Sequence, residues 1–272
     1  MPAHPSASSF NYTIAAVSLN NNYVLLDATD KFSEPDLLPL WCLNGKGRLI
    51  EEGGGDWVTI PNNGYKVHIN AQLAIDSALN LTGNSLAHKN HYAAYLARNT
   101  IKKYSSQQEY AQSIIDNYGV NINSAKHSNL DSLGKTLIEE VEINDGQYVQ
   151  KAGKHAYFKP VLFPFITKNP FYQETRLYPV ETDYPVTYLY TAKIIVPDNV
   201  SNIEIPPSAI ISLPENAAKF VYQVRKLGNA FTVTWSLTIN KCLFVAEEYA
   251  HIKQFYQLIF EKQNEMILLS HE

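Results

Sequence analysis

The chain has 272 residues, of which 45% are hydrophobic and 18% charged, with a net charge of −4. Such a length suits one large or two modest domains, and the composition is that of a packed globular protein and not of a disordered one. The weak acidic balance and scattered Lys and Arg exclude the basic footprint of nucleic-acid binding, and no apolar run approaches the ~18 residues of a membrane-spanning helix, so no membrane insertion is expected.

Tyr is frequent, at 18 residues against 11 Phe and 3 Trp. Aromatic enrichment favours strands, so most Tyr are expected on half-buried sheet faces. The opening MPAHPSASSF lacks the basic and apolar regions of a signal peptide. Tyr12–Leu19 and Tyr23–Asp27 read as two strands around an Asn20-Asn21-Asn22 turn, because Asn tolerates the left-handed region. An irregular connector follows over 31–48, with Pro35 and Pro39. Gly45 and Gly47 open no helix, which argues against a dinucleotide loop. Strand Arg48–Glu51, a turn at Gly53-Gly54-Gly55 and strand Asp56–Ile60 make a second hairpin. Four turn formers, Pro61-Asn62-Asn63-Gly64, then mark a domain boundary.

Beyond it, Tyr65–Ile75 and Ala78–Leu81 are expected strands, with a turn at Thr82-Gly83-Asn84. His91–Lys103 has helical spacing of Tyr92, Tyr95 and Leu96. Ser106 and Glu109 form a capping box for a helix that stops at Gly119. The strand period returns at Thr136–Ile143, Gln147–Lys151 and Ala156–Leu162, with Asn144-Asp145-Gly146 as a hairpin turn. Strands are expected at Val186–Val196, Ile203–Ile205 and Ala209–Ser212. Lys219–Lys226 and Phe231–Asn240 flank a Leu227-Gly228-Asn229 turn. The last element is a helix over 246–262 with Tyr249, Ile252, Tyr256 and Ile259 along one stripe. The fold class is mainly β (α+β): a β-sandwich over 61–272 with helices near 91–118 and 246–262, preceded by a hairpin unit over 1–60.

Phe10-Asn11-Tyr12, Leu26-Asp27-Ala28-Thr29-Asp30, Leu38-Pro39 and Leu43 to Ile50 together resemble the end of a transglutaminase-like core. The relatives are large secreted proteins of Gram-negative bacteria that carry a C-terminal domain of unknown function after that core. The downstream run is similar to that domain at Asn169-Pro170-Phe171, Arg176, Tyr178-Pro179-Val180, Pro197-Asp198 and Met266 to Leu269. The resemblance implies a Cys–His–Asp triad, in which a thiolate attacks, an imidazole acts as base and a carboxylate orients it. Asp27 matches the family Asp. Tyr12 occupies the His position, and a phenol is a poor base for a thiol at neutral pH. The family Cys would fall before residue 1, whereas Cys42 and Cys242 both follow the Asp. His4 sits in the Pro/Ser-rich lead and not on the strand.

No active catalytic residue is therefore expected. The chain reads as the C-terminal portion of a longer protein, or as a relic that kept one hairpin of the core. Its expected role is that of a non-catalytic accessory or scaffold domain, with an upstream transglutaminase-like core or another protein as partner. Two alternatives are a part of a cysteine peptidase whose nucleophile lies upstream, and a peptide- or glycan-binding β-sandwich. The resemblance implies a periplasmic or cell-surface location. The remaining constellations carry bland readings. His88 and His91 straddle an expected strand-to-helix turn, with no third metal ligand. Glu140 and Glu142 share a sheet face opposite Glu139, as on a solvated strand. Glu247 and Glu248 suit a helix start. Arg176, Asp183 and Tyr184 suit a structural pair or turn. Gly53 to Gly55 precedes a strand and so cradles no phosphate. No cofactor is expected.

Overall fold

The computed structural model describes residues 10, 12–20, 22–52 and 54–271. The lead with His4, and Asn21 and Gly53 of the two expected turns, lie outside the described residues. Two short hairpins come first: β1 (Ala15–Leu19) with β2 (Asn22–Leu26), and β3 (Lys46–Arg48) with β4 (Trp57–Thr59). Then follow β5 (Tyr65–Ile75), β6 (Leu81–His91), α1 (Tyr92–Ile101), α2 (Gln107–Tyr118), β7 (Ile122–Ser128) and β8 (Leu137–Asp145). The chain continues through β9 (Gln150–Ala152), β10 (His155–Phe158), β11 (Val180–Glu181), β12 (Val186–Ile195), β13 (Val200–Glu204) and β14 (Ala209–Ser212). It closes with β15 (Ala218–Leu227), β16 (Ala230–Ile239), β17 (Leu243–Phe244), α3 (Tyr249–Gln263) and β18 (Ile267–His271). Strands make up 43% of the chain and helix 18%, which makes the fold mainly β of the α+β kind.

Eight strands form one sheet in the order β14-β15-β16-β12-β5-β6-β8-β7, and four form a second in the order β13-β18-β10-β9. Strict alternation explains the larger sheet: in β5 the odd residues Val67, Ile69, Ala71, Leu73 and Ile75 are buried and the even ones face out. The same alternation runs through β12, β15 and β16. One face is thus apolar, and Ala156 and Phe158 of β10, Ile267 and Leu269 of β18, and Ile252, Phe255 and Ile259 of α3 join its core. Trp235 sits at the centre, stacked between Tyr188 at 4.8 Å and Tyr190 at 5.8 Å. Much of the Tyr surplus is therefore core, for aromatic rings fill a pleated face with large apolar area. Every neighbour pair in the larger sheet is antiparallel except β5 with β12.

Two expected turns are corrected. Thr82-Gly83-Asn84 is not a turn but the start of the 11-residue strand β6. The chain reverses one step earlier, where Asp76 Oδ1 accepts the amides of Ala78 and Asn80. Gly83 is needed mid-strand because its φ is +144° and a Cβ there would collide with the Gln72 carbonyl oxygen. Asn144-Asp145-Gly146 closes no hairpin either. β8 pairs with β6 and β7, while β9 leaves for the other sheet. The reason is Asp145, a buried carboxylate that accepts the amides of Asn121 and Gln147 and so ties the exit of β8 to the start of β7.

The hairpin unit keeps its own small core of Leu25, Leu38 and Cys42, with Tyr12, Ile14, Val58 and Ile60 against it. It is held to α1 by polar contacts. Tyr92 donates to the Leu38 carbonyl at 2.7 Å, Tyr95 and Asn99 donate to Asp30 Oδ2 at 2.9 and 3.1 Å, and Arg98 pairs with Glu34 at 2.8 Å.

Candidate functional site

The β1–β2 ladder pairs Ala15 with Leu26, and continuing its count brings Tyr12 opposite Thr29, two residues past Asp27. The side chains meet there. The Tyr12 hydroxyl donates to Asp27 Oδ2 at 2.9 Å and lies 3.1 Å from Thr29 Oγ1, which itself donates to Asp27 Oδ2 at 3.0 Å. Asp27 Oδ1 takes the Thr29 amide at 3.0 Å. Desolvation would raise the Asp27 carboxyl, but these three donors outweigh it and hold the group below its ordinary range. The Thr29 contact pulls the Tyr12 phenol down, while desolvation and the Asp27 charge prevail and leave it raised.

Trp41 and Cys42 complete the neighbourhood, and sequence order alone did not place them. They sit on a short 3-10 turn, Leu40–Cys42. The Trp41 ring meets Tyr12 edge-on at 5.9 Å, and Cys42 packs in the same small core as Tyr12. Burial, helped by the Asp27 charge, pushes the Cys42 thiol up. Chemically this is a saturated carboxylate beside a protonated thiol and a phenol, and a raised thiol is a weak nucleophile without a base to take its proton. Tyr12, Trp41 and Cys42 also line a groove of about 560 Å³, with Phe10, Ile14, Ile50 and Val58 among its walls.

Elsewhere the structure separates or absorbs the remaining candidates. Cys42 and Cys242 are both free. His88 lies within β6, directly across from His68, and His91 ends the strand. Residues three apart on a strand point to opposite faces, so His88 and His91 diverge. No group of three metal-ligating side chains occurs among the described residues, nor is any helix there long and apolar enough to cross a membrane. The Arg176 side chain donates to the Tyr178 carbonyl, the Asp183 carbonyl accepts from Asn62, and Tyr184 stacks on Tyr65 and Tyr92. Glu248 accepts the Val245 amide and pairs with Lys241.

Glu140 and Glu142 face out as expected, whereas Glu139 is the ionised group that sequence reasoning passed over. It is buried, and it accepts from Lys89 at 2.9 Å, from Tyr110, and from His127 at 3.2 Å. Burial alone would raise its carboxyl; Lys89, with the His127 and Tyr110 hydrogen bonds, holds it well below the usual range. The alternation of β8 pointed it inward, but its partners come from β6, α2 and β7, which no local pattern connects.

Residues 154–269, which run from the start of β10 into β18, match the family described as a domain of unknown function with a solved structure (DUF3858). No curated protein matches the chain. A crystal structure described as that of a "putative protease" from Parabacteroides distasonis is similar at 17% identity, with a TM-score of 0.37, over 44% of this chain and 24% of that one. This chain is thus similar to a domain of unknown function over its C-terminal part, and spans about a quarter of the solved protein it resembles.

Proposed function

We propose that this chain is a non-catalytic accessory domain whose hairpin unit docks a transglutaminase-like core, in the periplasm or at the cell surface as the resemblance implies. One observation carries the reading: the hairpin unit leaves an apolar surface uncovered. Trp41 is 65% exposed, Ile50 86% and Leu19 54%, with Phe10, Val17 and Trp57 also exposed. Exposed large apolar groups gathered on one unit mark an interaction surface. The occupant follows from the resemblance of Phe10 to Ile50 to the end of such a core.

The rival reading, a cysteine peptidase, loses support from the saturation of Asp27 and the raised thiol of Cys42. The test is an assay of peptide hydrolysis on casein and of amine incorporation with dansylcadaverine. The purified chain is expected to be inert in both. Turnover that disappears in Asp27→Ala or Cys42→Ala would overturn the accessory reading. In parallel, an apolar dye such as anilinonaphthalene sulfonate should bind the native chain, and lose most of that signal in Trp41→Ser with Ile50→Ser.

A further inference from the structure

A second cleft, of about 510 Å³, opens where the C-terminal ends of α2 and α3 meet the stretch from β8 to β10. Its size is that of a small-molecule site. Gln263, the last residue of α3, lines it at 1% exposure, and among the described residues neither its amide nitrogen nor its amide oxygen has a hydrogen-bond partner. A buried amide left unpaired is costly, and native proteins keep few of them. Asn121, Gln147 and Gln150 add further side-chain amides around the opening.

The charged groups of the cleft are already engaged. Asp145 accepts two backbone amides, and Lys159 donates to Asn264 Oδ1 at 2.8 Å. The carbonyl ends of two helices border the space, and their partial negative charge disfavours an anion. Tyr118 and Tyr157 supply rings with apolar faces. An amide sets a donor beside an acceptor, which fits the vicinal hydroxyls of a sugar, while an aromatic face covers its C–H side. A peptide added to a sheet would instead need a free strand edge of useful length, and the adjoining strand β9 has 3 residues.

From this we infer that the cleft binds a neutral oligosaccharide, with Gln263 at its floor and the Tyr118 and Tyr157 rings against the sugar faces. The inference is independent of the docking face on the hairpin unit.

The full chain, labelled with nitrogen-15, is titrated with triacetylchitotriose, cellotriose and maltotriose, and separately with trigalacturonate and tetra-alanine amide. At least one neutral trisaccharide is expected to shift the side-chain amide resonances of Gln263 and Gln150. Gln263→Met should weaken that binding by about tenfold, the loss of one hydrogen-bonded group, while its melting temperature holds or rises. Gln150→Ala, on the exposed rim, should weaken it severalfold, and Trp41→Ser should leave it unchanged. The proposal fails if no neutral trisaccharide shifts these resonances at about 10 mM, a concentration that would fill even a weak site. It also fails if trigalacturonate or tetra-alanine amide occupies the cleft instead, or if Gln263→Met binds like the parent. Should Gln263→Met not fold, undiminished binding by Gln150→Ala together with Asn121→Ala would overturn it.

Discussion

Tyr190 and Tyr222 share one core and differ in what their hydroxyls touch. The Tyr190 hydroxyl donates to the Pro160 carbonyl at 3.0 Å and accepts the Leu162 amide at 3.3 Å, which pins the segment after β10 to the large sheet. The Tyr222 hydroxyl is buried with no partner among the described residues. Tyr190→Phe strands two backbone groups and should cost about 1–3 kcal/mol, whereas Tyr222→Phe removes an unpaired hydroxyl and should be neutral or stabilising by up to about 1 kcal/mol. Urea midpoints of the two variants decide this. Glu139 sets an acid-side dependence. Its carboxyl is held below the 4.5 of a free Glu, so as pH falls through that value the unfolded chain takes up the proton first. The stability it contributes is complete above that pH and is lost as pH drops toward the folded value. Urea midpoints measured between pH 7 and pH 3 should fall, and Glu139→Gln should flatten that slope. At pH 7 the same substitution should cost about 3–5 kcal/mol, because Lys89 keeps a mostly buried charge without its partner.

At the level of elements, two glycines, both at positive φ, differ in the space a side chain would find. Gly119 caps α2 at φ 65°, and a Cβ there would meet nothing within 4 Å. Gly119→Ala should therefore cost only the left-handed strain, about 1 kcal/mol. Gly83→Ala would drive a methyl into the β5 backbone and should cost about 4 kcal/mol or more, within the range reserved for broken packing. Denaturant unfolding of both variants tests the ranking. The capping box over Ser106 and Glu109 was legible because every partner lies within four residues: Ser106 Oγ accepts the Glu109 amide at 3.1 Å, and Glu109 reaches back to Ser105. Strand β5 was legible to the residue because its burial alternates without a break. Thr82-Gly83-Asn84 misled because Gly is read as a turn former when only local sequence is in view. Here it answers to a neighbouring strand. Asn144-Asp145-Gly146 misled in the same way, since Asp145 serves Asn121, a residue 24 positions earlier.

Across the whole molecule, Arg98 joins parts that no local signal relates. It is fully buried on α1, pairs with Glu34 of the hairpin unit, and donates to the carbonyls of Asn129, Ser132 and Lys135. Arg98→Met should cost about 3–5 kcal/mol, and Arg98→Lys should restore little, since a point charge cannot serve a fork of acceptors. Limited trypsin digestion should then cut at Lys31 well before the parent chain is cut. The candidate site shares this nonlocal character. Tyr12 beside Asp27 could be anticipated from a hairpin, but Trp41 and Cys42 arrive through a connector of irregular backbone, where no period constrains position. The single parallel pairing of the larger sheet has a consequence for synthesis. β5 begins at Tyr65 and its partner β12 at Val186, so 121 residues must follow before that edge is covered. At roughly 5–20 residues per second on a ribosome, β5 waits for roughly 6–24 s with one row of amides and carbonyls unpaired. A nascent chain is open to edge-to-edge association throughout that interval, and slower translation between residues 76 and 185 would lengthen it.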